Sequence, residues 1–119
     1  MRHIRPEELP ARPLARDVLH RFVHETRRLA GDRVRRIIVY GSMARGDAGP
    51  ESDLDVWVDW QGEEDDAWVL LGQLAGRLFL ETGLLLSIHP VSPPHLRLLQ
   101  DWNNSFYQAV EREGLIVDA

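Results

Sequence analysis

Apolar residues recur at three- and four-residue intervals in two long stretches of the chain, with short unbroken apolar runs between them. Such a pattern predicts helices alternating with strands. Leu14, Val18, Phe22 and Leu29, widened by Leu19 and Val23, define an amphipathic helix over about 13–30 with Gly31 as its stop. Ile37-Ile38-Val39-Tyr40 reads as a buried strand, and the turn formers of 46–52 as the loop leading to a second strand, Asp53 to Val58, before Asp59-Trp60-Gln61-Gly62 breaks the pattern. A second long helix is expected over about 64–82, from Trp68-Val69-Leu70-Leu71 followed by Leu74, Leu78 and Phe79, with Gly83 as its stop. The acids Glu63 to Asp66 are explained as helix-start residues that favour the dipole. Leu84 to His89 reads as a third strand ending at Pro90. Ser92-Pro93-Pro94 opens a further helix, with Leu96, Leu99 and Trp102 as its buried stripe. Asn103-Asn104-Ser105 interrupts it, a last helix runs from about Phe106 to Glu113, and Leu115-Ile116-Val117 docks as a short strand or tail. These elements assemble into one α/β domain over 1–119, a small mixed sheet with helices packed mainly on one side.

The candidate chemistry lies where the first two strands meet. Asp53 and Asp55 are two apart, so their side chains project to one face of a strand. Carboxylates held that close repel unless a cation sits between them, and hard oxygen ligands of this kind suit magnesium or manganese shared with substrate phosphates. Gly41 and Ser42 fall where the preceding strand ends. Glycine there admits a phosphate close to the backbone, Ser42 adds a hydroxyl, and Arg45 stands ready for a phosphate oxygen. The competing reading is a polar hairpin in which Asp53 caps a turn and Asp55 faces solvent. Aspartate is disfavoured in strands, so two of them flanking Leu54 are left unexplained by it.

Gly41-Ser42, ten residues, then Asp53-Leu54-Asp55, with Arg45-Gly46 between and apolar strands on either side, resembles the signature of the DNA polymerase β-type nucleotidyltransferases. Among these the chain is similar to the small, antitoxin-like minimal nucleotidyltransferases. The resemblance is strongest over 34–60 and extends over nearly the whole length. It implies the polymerase β-like fold and transfer of a nucleoside monophosphate, AMP by preference, from a nucleoside triphosphate such as ATP to a hydroxyl acceptor. Gly41, Ser42 and Arg45 would bind the nucleotide, and Asp53 and Asp55 would be catalytic and hold Mg2+ or Mn2+. It also implies a HEPN-family protein as partner in a toxin–antitoxin pair, with a second copy of the chain as the other candidate source of the acceptor. Active members supply a third carboxylate from the next strand, and Ser87 stands in that place here. The alternative is therefore a catalytically silent, nucleotide-binding or protein-interaction antitoxin subunit. Asp59 and His89 are conceivable substitutes for the missing group, although packing or hydrogen bonding is the simpler reading of His89.

Composition narrows the remaining classes. The chain has no cysteine, which removes disulfides and thiolate zinc sites. No stretch reaches the roughly 18 apolar residues of a membrane span, and Met1 to Pro6 lacks a signal-peptide core, so a soluble cytoplasmic protein is expected. The net charge of −5 argues against strong nucleic-acid binding. It is unevenly spread: residues 1–36 hold 10 arginines and 5 acids, residues 37–119 hold 4 arginines and 14 acids. The basic segment is either a docking surface or a solvated helix face. His20 and His24 are one helical turn apart, but with no third ligand in sight they read as ordinary surface histidines.

Overall fold

The computed structural model describes all 119 residues. Its elements are β1 (Arg2–His3), α1 (Pro13–Ala30), β2 (Val34–Tyr40), α2 (Ser42–Arg45), β3 (Leu54–Trp60), α3 (Glu64–Thr82), β4 (Leu86–Val91), α4 (Pro93–Asp101), α5 (Ser105–Glu113) and β5 (Leu115–Asp118). The strands form one mixed sheet in the order β1-β5-β2-β3-β4. The β2–β3 and β2–β5 pairs are antiparallel, whereas β3–β4 and β1–β5 are parallel.

Strand alternation sorts the core into two layers. Ile37 and Val39 of β2, Val56 and Val58 of β3 and Ile88 of β4 face one side, where they join Val18, Leu19 and Phe22 of α1 and Leu71, Leu74 and Leu78 of α3 in the main core. Ile38, Tyr40, Trp57, Val91 and Ile116 face the other side and pack with Val110 of α5. The two long helices thus cover one face, and α5 covers part of the opposite one. Asp55 and Asp59 each stand two residues from Trp57, so they share its face, the α5 side.

Four local expectations need correction. The α1 stripe is Ala15, Val18, Leu19, Phe22, Thr26 and Ala30, with Leu14 and Leu29 exposed at its margins. Strand β3 continues through Asp59 and Trp60 instead of breaking there. Strand β4 passes through Pro90 to Val91; it is the sheet edge, where proline's missing N–H leaves no ladder bond unmade. Trp102 is not buried but 73% exposed, and α4 buries no residue fully.

The C-terminal tail is the strand that completes the sheet, lying between β1 and β2. Its entry depends on Gly114: a Cβ there would sit 2.5 Å from the Val110 carbonyl oxygen and 2.8 Å from Ile38 Cγ2, so only glycine lets α5 turn directly into β5. Arg27 fixes the other end, its Nε donating to Asp118 Oδ2 at 2.5 Å and its Nη1 to the Val34 carbonyl at 2.6 Å. The basic N-terminal segment is partly neutralised by such pairs. Arg21 meets Glu81 and Arg36 meets Asp59, which favours the solvated-face reading over a bare cationic docking surface. No helix is long and apolar enough to cross a membrane.

Phe22 is fully enclosed between α1 and the sheet, whereas Leu14 lies at the margin. Phe22→Ala is expected to lower unfolding free energy by about 3–5 kcal/mol and Leu14→Ala by under about 1 kcal/mol, as read from urea denaturation midpoints.

Candidate active site

The site forms where β2 ends. After Tyr40 the backbone enters the left-handed half of conformational space at Gly41 (φ 77°), makes the single helical turn α2, and leaves through Gly46 (φ 87°). The Ala44 and Arg45 amides both donate to the Gly41 carbonyl at 3.1 and 3.0 Å, closing a tight turn. The Ser42 and Met43 amides precede the first amide that donates within the helix, as at any helix start.

Strand β3 brings the carboxylates to this turn. In the antiparallel register Asp55 lies opposite Tyr40, immediately before Gly41. The approach is so close that a Cβ built on Gly41 would overlap Asp55 Oδ2. The glycine thus serves two ends at once, since its φ suits few other residues and its missing side chain leaves room for the acid. Asp53 stands just before β3, exposed, at the mouth of the loop. Burial first, and then the Asp53 charge, push the Asp55 carboxyl above the ordinary carboxylate range, while Arg45 opposes the shift. A cation bound between the two acids would relieve this strain.

Arg45 is on the spot expected of it, but it is engaged. Its Nε donates to Asp47 Oδ2 at 3.2 Å, and its Nη1 pairs with Glu113, a mostly buried side chain from the end of α5. Glu113 was not foreseen. It lies 68 residues away in sequence, and its local setting reads only as a helix end before Gly114. Its charge adds to the pressure on Asp55.

The parallel β3–β4 register sets Ser87 beside Asp55. No group of three or more His, Asp or Glu side chains is arranged to hold a metal ion, so the two aspartates stand without a third ligand. Neither conceivable substitute reaches them. Asp59 accepts from Arg36 Nε and Trp57 Nε1, both at 2.6 Å, and lies four residues along the strand, about 13 Å from Asp55 at strand rise. His89 has its Nδ1 2.8 Å from the Tyr40 hydroxyl and packs against Phe106 with ring centroids 5.1 Å apart. Burial lowers its pKa, while burial and the Asp55 charge raise that of Tyr40. The pair is a neutral hydrogen bond supporting the floor of the site. His20 and His24 are exposed on α1, outside the site.

The residues present suit a magnesium-type ion. Two carboxylates at the rim of a turn provide a partial set of hard ligands, and such ions commonly take one or two carboxylates and fill the remaining positions with substrate phosphates and water.

Comparison with known proteins bears on this geometry. Residues 19–114 match the model of the nucleotidyltransferase domain. A Methanocaldococcus jannaschii protein, provisionally named a protein adenylyltransferase, is 30% identical over 96 residues, covering 81% of this chain and 90% of that protein. A crystal structure described as the toxin–antitoxin with AMP-PNP superposes with a TM-score of 0.55, at 17% identity, over 82% of this chain and 70% of that one; at that identity the likeness concerns the fold. The resemblance to the nucleotidyltransferases is thereby upheld, and the chain belongs to the nucleotidyltransferase domain family.

Proposed function

We propose that this protein transfers AMP from ATP to a hydroxyl group on a protein acceptor, with Gly41, Ser42, Asp53 and Asp55 as its site. The observation that carries the reading is the packing of Asp55 over the Gly41 Cα, which sets one of the two acids directly against the glycine turn. The preference for ATP and for a protein acceptor is supported by the naming of the Methanocaldococcus relative and by the AMP-PNP in the structural neighbour.

The reaction is in-line attack of the acceptor oxygen on the α-phosphorus, with pyrophosphate leaving. The Gly41-Ser42 turn receives the β- and γ-phosphates, the glycine by close backbone approach and Ser42 through its hydroxyl. Asp53 and Asp55 would hold Mg2+ or Mn2+, which would supply charge neutralisation and alignment of the phosphates. Arg45 reaches a phosphate oxygen by exchanging Glu113 or Asp47 for it; a bidentate guanidinium suits either partner. The acceptor is presented by a partner protein. A HEPN-family toxin, with this chain as its antitoxin, is the proposed partner, and the toxin–antitoxin context of the structural neighbour supports it.

One observation favours a second reading. Ser87, not an acid, lies beside Asp55, and a silent subunit that binds nucleotide and restrains its partner would need no third carboxylate. An Asp53→Ala, Asp55→Ala variant separates the two: undiminished neutralisation of the partner would end the enzymatic account.

Three outcomes are expected. Calorimetry should show ATP binding that requires magnesium and disappears in the double variant, and any residual transfer should fall by on the order of 100-fold or more. Gly41→Ala should also abolish binding, with the unfolding free energy lower by about 1–3 kcal/mol because the new methyl group meets Asp55 from a strained backbone. Asp55→Asn should behave oppositely in stability. The folded state holds the Asp55 proton more tightly than the unfolded chain, so the associated stability is full below the unfolded pKa and is lost as pH rises through the folded one. Without metal, Asp55→Asn should therefore melt above the wild type at neutral pH, the gap closing as pH falls through the raised folded pKa and gone below the usual carboxylate range; calorimetric melting across pH checks this.

A further inference from the structure

The outer face of α3 is apolar where a helix on the surface of a monomer is normally polar. Trp68 is 48% exposed, Val69 62%, Phe79 43% and Leu80 86%. Gly72 and Gly76 lie between them, also exposed, and a Cβ on either would meet nothing within 4 Å. At 3.6 residues per turn these six positions occupy an arc of about 120° on the side away from Leu71, Leu74 and Leu78. Arg77, the one charge between Asp66 and Glu81 in sequence, points off this face towards Glu25 of α1, 3.6 Å away. Two glycines in the middle of an exposed helix weaken it for no local gain.

We propose that this face packs against the same face of a second copy, α3 antiparallel to α3 about a two-fold axis. The spacing is self-complementary. Trp68, Gly72, Gly76 and Leu80 follow each other at four-residue steps, symmetric about position 74. Reversing the helix therefore sets Gly72 against Gly76 of the second copy, Trp68 against Leu80 and Val69 against Phe79, as an isologous interface requires. The glycine pairs let the two backbones approach closely at the crossing, and the large side chains fill the space on either side. No charge lies within the arc apart from Asp65 at its end, so the superposed faces bring no like charges together. The exposed apolar surface is on the order of 400 Å2, the upper range of what a monomer leaves uncovered, so it forms the centre of the interface and the flanking residues of α3 and α1 supply the rest of the roughly 800 Å2 that each partner of a stable pair buries. A neighbouring groove of about 740 Å3, lined in part by Leu29, Leu70 and Leu74, extends it across to α1. Helix α3 lies on the sheet face opposite Asp55, so both nucleotide sites stay open in the pair. The proposal is independent of the reading of that site.

The test is sedimentation of the full chain over a range of concentrations, beside a Gly72→Gln, Gly76→Gln variant. Both new side chains point into open space and favour helix, so the variant folds. The expected result is a concentration-dependent dimer for the wild type and a monomer for the variant, whose melting temperature when dilute is not below that of the wild type. The chain has no cysteine, so register can be read by cross-linking: an oxidised mixture of Gly72→Cys and Gly76→Cys chains should join more readily than either alone. A wild type that stays monomeric, as it would if the face served a different protein, overturns the proposal. So does a dimer that survives the glutamine pair, or single-cysteine chains that cross-link as readily as the mixture.

Discussion

The approach of the Asp55 carboxylate to the Cα of Gly41 is the constraint on which the site depends. It is set by the antiparallel register of β2 and β3, which puts Asp55 opposite Tyr40, and it is possible only because the next residue has no side chain. Both strands are anchored by apolar neighbours on the α1 and α3 side, so the register cannot slip by one residue without turning that set away from the core. The rigidity of the sheet is thus transmitted directly to two oxygen atoms.

The electrostatics around this point are those of crowded carboxylates held partly in check by one arginine. Asp47 and Glu113 pair with a single guanidinium, that of Arg45, whose charge also acts on Asp55, and Asp55 is displaced from its ordinary titration by burial and by the charges of Asp53 and Glu113. The fold gains no stability from such crowding; strain of this sort is typical of functional sites. The floor beneath is neutral and well packed, with Tyr40, His89, Phe106 and Trp57 in mutual aromatic contact. The charged groups therefore stand on a firm, apolar base.

Periodicity made the long elements legible. The bounds of α1 and α3 agree with the spacing of their apolar residues and with the glycines that end them. The signature at Gly41, Ser42, Asp53 and Asp55 could be read because its residues are close in sequence and chemically unusual for their positions. Features that depend on distant partners could not. Glu113 becomes part of the site only when α5 folds back over β2, and Asp59 is drawn away from the site by Arg36 and Trp57. Pro90 suggests a strand end until β4 is known to be an edge. Trp102 fits a buried stripe by spacing, yet α4 lies too loosely on the domain to bury it.

The central claim is that the acidic pair and the glycine turn form one nucleotide site. It is tested most directly by crystallising the chain with manganese and a non-hydrolysable ATP analogue and locating the metal by its anomalous signal. The account requires a peak between Asp53 and Asp55, with the β- and γ-phosphates against Gly41 and Ser42. A nucleotide bound elsewhere, or phosphates at the turn with no metal between the aspartates, would contradict it.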